Sequence, residues 1–142
     1  MILYQPKTEK DFQQYYHLRW RILRKPWGQE EDSDRDSNDE NYYHIMAVIN
    51  GNTVGVARLE FPDNGFAQLR YMAVDDVYQG YGIGRKIVDH MEQYSKENNV
   101  HELFLNAREN AVGFYEKLGY QVTGKSYLLF DSIQHYKMLK SL

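Results

Sequence analysis

The chain has 142 residues, of which 42% are hydrophobic and 26% charged, a size and composition typical of one globular domain and too apolar for intrinsic disorder. It has no cysteine, which excludes disulfides and thiolate catalysis, and its net charge of −3 without a dense basic patch argues against a nucleic-acid partner. We find no basic segment leading into an apolar stretch at the start and no apolar run of membrane-spanning length. We therefore expect a single domain over residues 1–142, no membrane association and a cytoplasmic location.

Hydrophobic periodicity and turn residues divide the chain into elements in the order β-α-β-β-β-α-β-α-β-β. Asn50-Gly51-Asn52 and Pro62-Asp63-Asn64-Gly65 mark tight turns between strands. This order favours a mixed α+β sheet domain without repeats or a linker. The predicted elements are a strand at 2–5, a helix at 10–24, strands at 43–49, 53–61 and 66–74, a helix at 83–98, a strand at 101–107, a short helix around 111–118, and strands at 120–127 and 133–139.

The segment between the third of the central strands and the second helix contains three closely spaced glycines, Gly80, Gly82 and Gly84. Glycine lets a backbone turn tightly and approach a ligand without an intervening Cβ. The first N–H groups of the following helix have no intrahelical partner and carry partial positive charge. Together these features predict a cradle for a pyrophosphate.

Two common pyrophosphate motifs fit this segment poorly. A Walker P-loop requires Gly-Lys-Ser/Thr, but Gly84 is followed by Arg85-Lys86-Ile87. A dinucleotide fingerprint requires its third glycine three residues after the second, whereas Gly84 follows Gly82 by two. The candidate ribose ligand, Glu102, precedes the apolar core of its strand instead of ending it.

The spacing Gln79-x-x-Gly82-x-Gly84 resembles the acetyl-CoA signature of the GNAT superfamily of N-acetyltransferases. Tyr71-Met-Ala-Val74 is similar to the family's strand before that signature, and Asn110-Ala-Val-Gly-Phe-Tyr-Glu-Lys-Leu-Gly-Tyr120 resembles its second motif. His135-Tyr-Lys-Met138 is similar to a common last strand. The resemblance implies a GNAT-like α+β fold, with a mixed, mostly antiparallel sheet of about six to seven strands and about three to four helices.

The resemblance also implies a reaction, in which an amine attacks acetyl-CoA directly in a ternary complex and no metal takes part. The backbone at Met72 and Val74 would hold the pantetheine arm, and an N–H near Met72 would polarise the thioester carbonyl. Asn106 and Asn110 would line the exit of the arm, and Tyr115 would protonate the departing thiolate. The implied acetyl-CoA-binding residues are Met72, Ala73, Val74, Gln79, Gly80, Tyr81, Gly82, Ile83, Gly84, Arg85, Asn106, Asn110 and Tyr115.

Several of these residues also have structural interpretations. Tyr115 lies on the apolar stripe of its helix and could be a core residue, Gln79 could be a turn residue, and Asn110 could be a helix N-cap. Some members of that family carry a Glu near the position of Gln68. The Gln side chain of this chain cannot serve as a base. Glu60 and His135 are alternatives, but we expect both to be solvated surface residues and assign no general base.

The stretch Gln29–Asn41 has seven acidic residues between Glu30 and Glu40, against the single Arg35. We expect an exposed loop or a poorly ordered helix, solvated or guiding a cationic substrate. Its Asp32-x-Asp34-x-Asp36 start resembles a calcium loop, but Ser37 and Tyr43 replace the required Gly and Glu, so calcium binding is not expected.

The function predicted from the sequence is therefore transfer of an acetyl group from acetyl-CoA to a primary amine. Two alternatives stay open: a non-catalytic acyl-CoA sensor or scaffold, and an acyltransferase that uses a different acyl-CoA. The acceptor would be a small-molecule amine or a protein amino group, and the resemblance suggests a homodimer.

Overall fold

The computed structural model describes residues 1–142 and contains seven strands and three α-helices. The pairings β1–β2, β2–β3, β5–β7 and β6–β7 are antiparallel and β4–β5 is parallel, in the strand order β1-β2-β3-β4-β5-β7-β6. The predicted mixed, mostly antiparallel sheet is confirmed. None of the helices is both long and apolar enough to span a membrane. The elements are β1 (Ile2–Tyr4), α1 (Glu9–Leu23), β2 (Tyr43–Ile49), β3 (Asn52–Asp63), β4 (Phe66–Val74), α2 (Ile83–Glu97), β5 (Glu102–Arg108), α3 (Val112–Lys117), β6 (Gln121–Leu129) and β7 (Ile133–Ser141).

The first compact unit comprises Met1–Glu60 and Tyr71–His90. Its helix α1 begins at a capping box, because the Asp11 amide donates to Thr8 Oγ1 at 3.0 Å and the Thr8 amide donates to Asp11 Oδ2 at 3.2 Å. A buried cluster from α1 and the adjoining strands forms the core of this unit. The cluster consists of Tyr15, Tyr16, Leu18, Leu23, Met46, Val56 and Ala73.

The start of α2 lies against β3 at Gly55. A Cβ on Gly55 would be 2.8 Å from Ile87 Cδ1 and 2.9 Å from Ile83 Cγ2, closer than side-chain carbons normally approach. Glycine at this position therefore allows the first two turns of α2 to pack directly on the strand. This contact sets the position of the α2 N-terminus within the unit.

The second compact unit comprises Phe61–Arg70 and Met91–Leu142. Side chains of β5 alternate, so that Leu103, Leu105 and Ala107 are buried on one face. Glu92 accepts from the Tyr120 hydroxyl at 2.8 Å and pairs with Lys140 Nζ at 3.0 Å. Lys140 also donates to the Leu118 carbonyl at 2.8 Å and so satisfies the C-terminal end of α3.

The expectation of an exposed acidic loop is wrong for two of its residues. Asp34 and Asp39 are each 3% exposed, and both bind Arg19 of α1, which is fully buried. Asp39 also pairs with the buried Arg58 of β3 at 2.9 Å. A buried guanidinium requires a partner of opposite charge, and the acidic stretch supplies it.

Candidate functional site

The glycine-rich turn between β4 and α2 has an open outer face. Gly80 and Gly82 have φ of 87° and 78°, values that residues with a Cβ adopt only with strain. A Cβ on either residue would meet no heavy atom within 4 Å, so it would project into open space. The backbone here is therefore accessible to a ligand that a Cβ would obstruct.

The N-terminus of α2 follows this turn directly. The first hydrogen bond of the helix runs from the Lys86 amide to the Gly82 carbonyl at 3.1 Å, so the amides of Ile83, Gly84 and Arg85 precede the intrahelical ladder. The exposed side chains of Arg85 and Lys86 add positive charge to the partial charge of the helix end. This combination suits an anion with several oxygen atoms, such as a pyrophosphate.

Asp75 holds the start of the turn in place, and sequence analysis missed this role. Its carboxylate accepts from the Val77 amide at 3.1 Å and from Arg21 of α1 at 2.8 Å, and its own amide donates to the Val54 carbonyl at 2.8 Å. Burial raises the pKa of Asp75, but the hydrogen bonds from Arg21 and Val77 outweigh it and lower the pKa overall. The Asp-x-Val spacing indicates a local Asx turn, whereas Arg21 lies too far away in sequence to be found without the fold.

Gln79, predicted to contact the cofactor, is occupied within the turn. Its side-chain amide donates to Asp76 Oδ1 at 3.2 Å, where both residues are exposed. This contact favours the interpretation of Gln79 as a turn residue whose side chain braces the short 3-10 segment Asp76–Tyr78. Tyr81 is exposed beside it, with its ring 6.0 Å from that of Tyr78.

The end of β4 carries an unusual backbone bend. Tyr71 has a φ of 52°, which is rare for a bulky residue and rarer inside a strand. The bend immediately precedes Met72, Ala73 and Val74, of which Ala73 is buried and the other two are half-buried. The candidate thioester-binding segment therefore begins at a left-handed residue.

In the second unit, Asn106 and Asn110 follow one another along the chain on different elements. Asn106 is half-buried on β5, opposite Lys137 in the β5–β7 register. Asn110 is exposed in a 3-10 turn, Glu109–Ala111, that continues into α3. The N-cap interpretation of Asn110 is wrong, because the cap position of α3 is Ala111, which makes no side-chain cap bond.

Tyr115 lies on the buried side of α3 and is 7% exposed. Its ring makes edge contacts with Phe114 at 5.0 Å and with Tyr120 at 5.8 Å between centroids. Burial raises the pKa of the Tyr115 phenol, because the phenolate would lose its hydration. The hydroxyl is therefore protonated at neutral pH and chemically able to act as a proton donor.

The two alternatives considered for a general base are not solvated surface residues. Glu60 pairs with the buried Arg58 at 2.7 Å. His135 is 4% exposed, its Nδ1–H donates to the Ile133 carbonyl at 3.0 Å, and its ring stacks on Tyr127 at 4.2 Å. Both side chains are therefore engaged within the fold.

Comparisons with known proteins agree with this geometry. The family profile described as "Acetyltransferase (GNAT) domain" matches residues 23–142. Among Bacillus subtilis (strain 168) proteins, YyaT is 30% identical over 113 residues, covering 80% of this chain and 75% of YyaT. YjcF from the same strain, described as an uncharacterized N-acetyltransferase, is 25% identical over 134 residues, covering 94% of this chain and 95% of YjcF.

The fold also matches solved structures. An aminoglycoside 6'-N-acetyltransferase in complex with coenzyme A aligns with a TM-score of 0.80 at 18% identity, covering 99% of this chain and 97% of that one. An acetyltransferase of the GNAT family from Staphylococcus aureus Mu50 also aligns at 0.80, with 20% identity and 99% coverage of both chains. At these identities the match establishes a shared fold.

Proposed function

Because the chain belongs to the GNAT family of acetyltransferases, we propose that it binds acetyl-CoA and transfers the acetyl group to a primary amine by direct attack. The observation that carries this proposal is the open glycine turn at the α2 N-terminus. Gly80 and Gly82 present backbone there with no Cβ, and three helix amides precede the intrahelical ladder. A pyrophosphate is the part of coenzyme A that such a site suits.

The turn binds the pyrophosphate through its backbone. The amides from Gly80 to Arg85 act as donors, while Arg85 supplies charge, and the Asp75 contacts keep the turn preorganised. Side-chain contact from Gln79 is not required, since that amide braces Asp76. Binding at this turn places the cofactor but does not itself activate the thioester.

The segment Met72–Val74 binds the pantetheine arm by backbone hydrogen bonds, with Ala73 packed beneath it. An N–H near Met72 donates to the thioester carbonyl, where negative charge grows as the amine attacks. A donor preorganised for that oxygen stabilises the transition state more than the ground state. The bend at Tyr71 sets the direction of this segment.

Tyr115 completes the reaction as a proton donor. The amine nitrogen forms a bond to the carbonyl carbon, the tetrahedral intermediate collapses, and the carbon–sulfur bond breaks. The departing thiolate takes the Tyr115 proton, the acetylated nitrogen releases its proton to solvent, and the Tyr115 phenolate then regains a proton from solvent. Asn106 and Asn110 contribute polar contacts to the arm.

A panel of amines tests this proposal. The purified protein is incubated with acetyl-CoA and, separately, with a polyamine, an aminoglycoside, amino acid amides and a peptide with a free N-terminus, and release of the CoA thiol is followed. We expect at least one amine to accelerate thiol release. That amine should gain 42 Da, the mass change when an acetyl group replaces a hydrogen, in an amount about equal to the thiol released. If the protein binds acetyl-CoA but no amine causes release of the CoA thiol, the acyl-CoA sensor is favoured. If the thiol is released faster from propionyl-CoA or longer thioesters than from acetyl-CoA, a different acyl donor is favoured.

A further inference from the structure

The left-handed bend at Tyr71 has an energetic cost that its surroundings must offset. A non-glycine residue in this region is strained and persists only where neighbouring contacts determine its conformation. Tyr71 has a φ of 52° within β4. Its ring contacts two buried arginine side chains.

The Tyr71 ring lies close to two buried guanidinium groups. Arg19 Cζ is 4.7 Å from the ring centroid, and Arg58 Cζ is 4.8 Å from it. Both arginine side chains are fully buried. A cation near the face of an aromatic ring is attracted by the ring quadrupole, and the attraction is stronger where water is excluded.

One carboxylate, that of Asp39, binds both arginines. Asp39 Oδ2 is 2.7 Å from Arg19 Nη2 and 2.9 Å from Arg58 Nη1. Asp34 binds the other side of Arg19, and Glu60 binds Arg58 at 2.7 Å, so neither guanidinium is left uncompensated. We name the group Arg19, Asp39 and Arg58 the ion triad.

We propose that the ion triad is a positioning device for acetyl transfer, which holds Tyr71 in its left-handed conformation and thereby directs the Met72 amide at the thioester carbonyl. The ring and the backbone of Tyr71 share one Cα, so fixing the ring restricts the backbone torsions beside it. The peptide group that carries the Met72 amide is the next along the chain. This inference rests on the proposed function, because it assumes that the segment Met72–Val74 binds the acetyl arm.

The test uses nitrogen-15-labelled full-length protein and follows backbone amide signals in complexes with CoA and with acetyl-CoA. The difference between the two complexes reports on the thioester carbonyl, whereas shifts common to both report on pyrophosphate binding. We expect the Met72 amide to move between the complexes in the wild type. Tyr71→Leu, which keeps apolar bulk but removes the quadrupole, should lose that movement while the Gly80–Arg85 amides still shift with CoA.

Two variants serve as controls. Tyr71→Phe keeps the ring and should retain the Met72 response. Tyr42→Leu removes another ring that lies 4.2 Å from Arg58 Cζ, at a residue with an ordinary φ of −84°, and should also retain it. With an amine identified in the panel, Tyr71→Leu should lower kcat by about 100-fold, the effect of losing one oxyanion donor, with KM for acetyl-CoA nearly unchanged.

The outcomes separate this inference from the proposed function. A retained Met72 response in Tyr71→Leu would overturn the inference even if the protein is an active acetyltransferase. If Tyr71→Leu does not fold, Tyr71→Met takes its place, and failure of both to fold would assign the ring to stability alone and likewise overturn it. If CoA shifts none of the Gly80–Arg85 amides in the wild type, the proposed function itself fails.

Discussion

At the scale of single residues, burial changes the pKa of a side chain and the partners that it binds, and the proposed chemistry depends on both. Tyr115 is a neutral phenol whose pKa is raised by burial, so it keeps its proton where an exposed phenol would begin to lose it. The same burial gives Asp34 a structural role, because its carboxylate is committed to Arg19. Residue type alone therefore does not separate a proton donor from a core residue.

Replacing Tyr115 with Phe tests the proton donor. The substitution retains the ring contacts with Phe114 and Tyr120, so stability and acetyl-CoA affinity should change little. Without the donor, the single-turnover rate should fall by about 100-fold, a typical contribution of general acid catalysis. Because burial raises the pKa of Tyr115, the wild-type rate should show no loss from phenol ionisation up to about pH 10. Equal single-turnover rates in the two proteins would make Tyr115 a core residue only.

At the scale of elements, the β4–α2 junction is where local conformation and function meet. Its turn has glycine at positions with a positive φ, and the proposed function requires a second property of glycine there, the open face that a pyrophosphate would approach. Glycine is required at position 55 for a third reason, because the absence of a Cβ lets α2 pack against β3. Glycines that look equivalent in the sequence therefore serve different physical purposes.

Replacing Gly82 with Val should abolish CoA binding measured by calorimetry, because the branched side chain occupies the space of the pyrophosphate. The matched control is Gly51→Val in the β2–β3 turn. Gly51 has a φ of 80° against 78° for Gly82, and neither has a heavy atom within 4 Å of an added Cβ. Both variants should lose a similar amount of stability from strain, about 1–2 kcal/mol, but only Gly82→Val should lose affinity. Wild-type affinity in Gly82→Val would remove the turn from the binding site.

At the scale of the whole molecule, the carboxylates of the acidic stretch fall into two groups. Asp34 and Asp39 neutralise buried arginines, whereas Glu30, Glu31 and Asp32 are exposed and contribute to the field around the protein. We expect the first group to affect stability and the second to affect association with charged ligands. Three predictions separate these roles.

Replacing Asp39 with Asn should lower the free energy of unfolding by about 3–5 kcal/mol, because two buried guanidinium groups lose a shared counter-charge. Asp36→Asn is the control, since Asp36 also pairs with Arg58 but its side chain is 46% exposed, and it should cost no more than about 1 kcal/mol. Urea denaturation measures both. Equal losses in the two variants would contradict a special role for Asp39.

The pH dependence of unfolding should agree with this assignment. Burial raises the pKa of Asp39, but the hydrogen bonds and charge of Arg19, together with the charge of Arg58, outweigh it and lower the pKa overall. The folded protein therefore holds the Asp39 proton less tightly than the unfolded chain. The contribution of Asp39 to stability should be present above about pH 4 and be lost on further acidification, and Asp39→Asn should lack this component.

Neutralising the exposed carboxylates Glu30, Glu31 and Asp32 with Gln, Gln and Asn tests electrostatic guidance of the acceptor. The net charge changes from −3 to 0, because three negative charges are removed. If the carboxylates attract a cationic amine, its KM should rise, more so at low salt, while KM for acetyl-CoA should not rise. Neutralising Asp89, Glu97 and Asp131 changes the net charge equally and is the control. An unchanged acceptor KM, or an equal rise in both triple variants, would leave this part of the stretch as a solvated surface.

The order of the elements could be predicted from the sequence alone, because periodicity and turn residues are local properties of the chain. The strands 43–49 and 66–74 were predicted with the bounds that the structure shows. The glycine spacing led to the prediction of an anion cradle, which stays a prediction. The ion triad could not be predicted, since residues 19, 39 and 58 become partners only when α1, the acidic stretch and β3 fold together. A charge in a sequence is most often solvated, and only the tertiary structure determined that these were buried. The bend at Tyr71 was hidden for the same reason: nothing local favours it, and contacts from distant residues stabilise it.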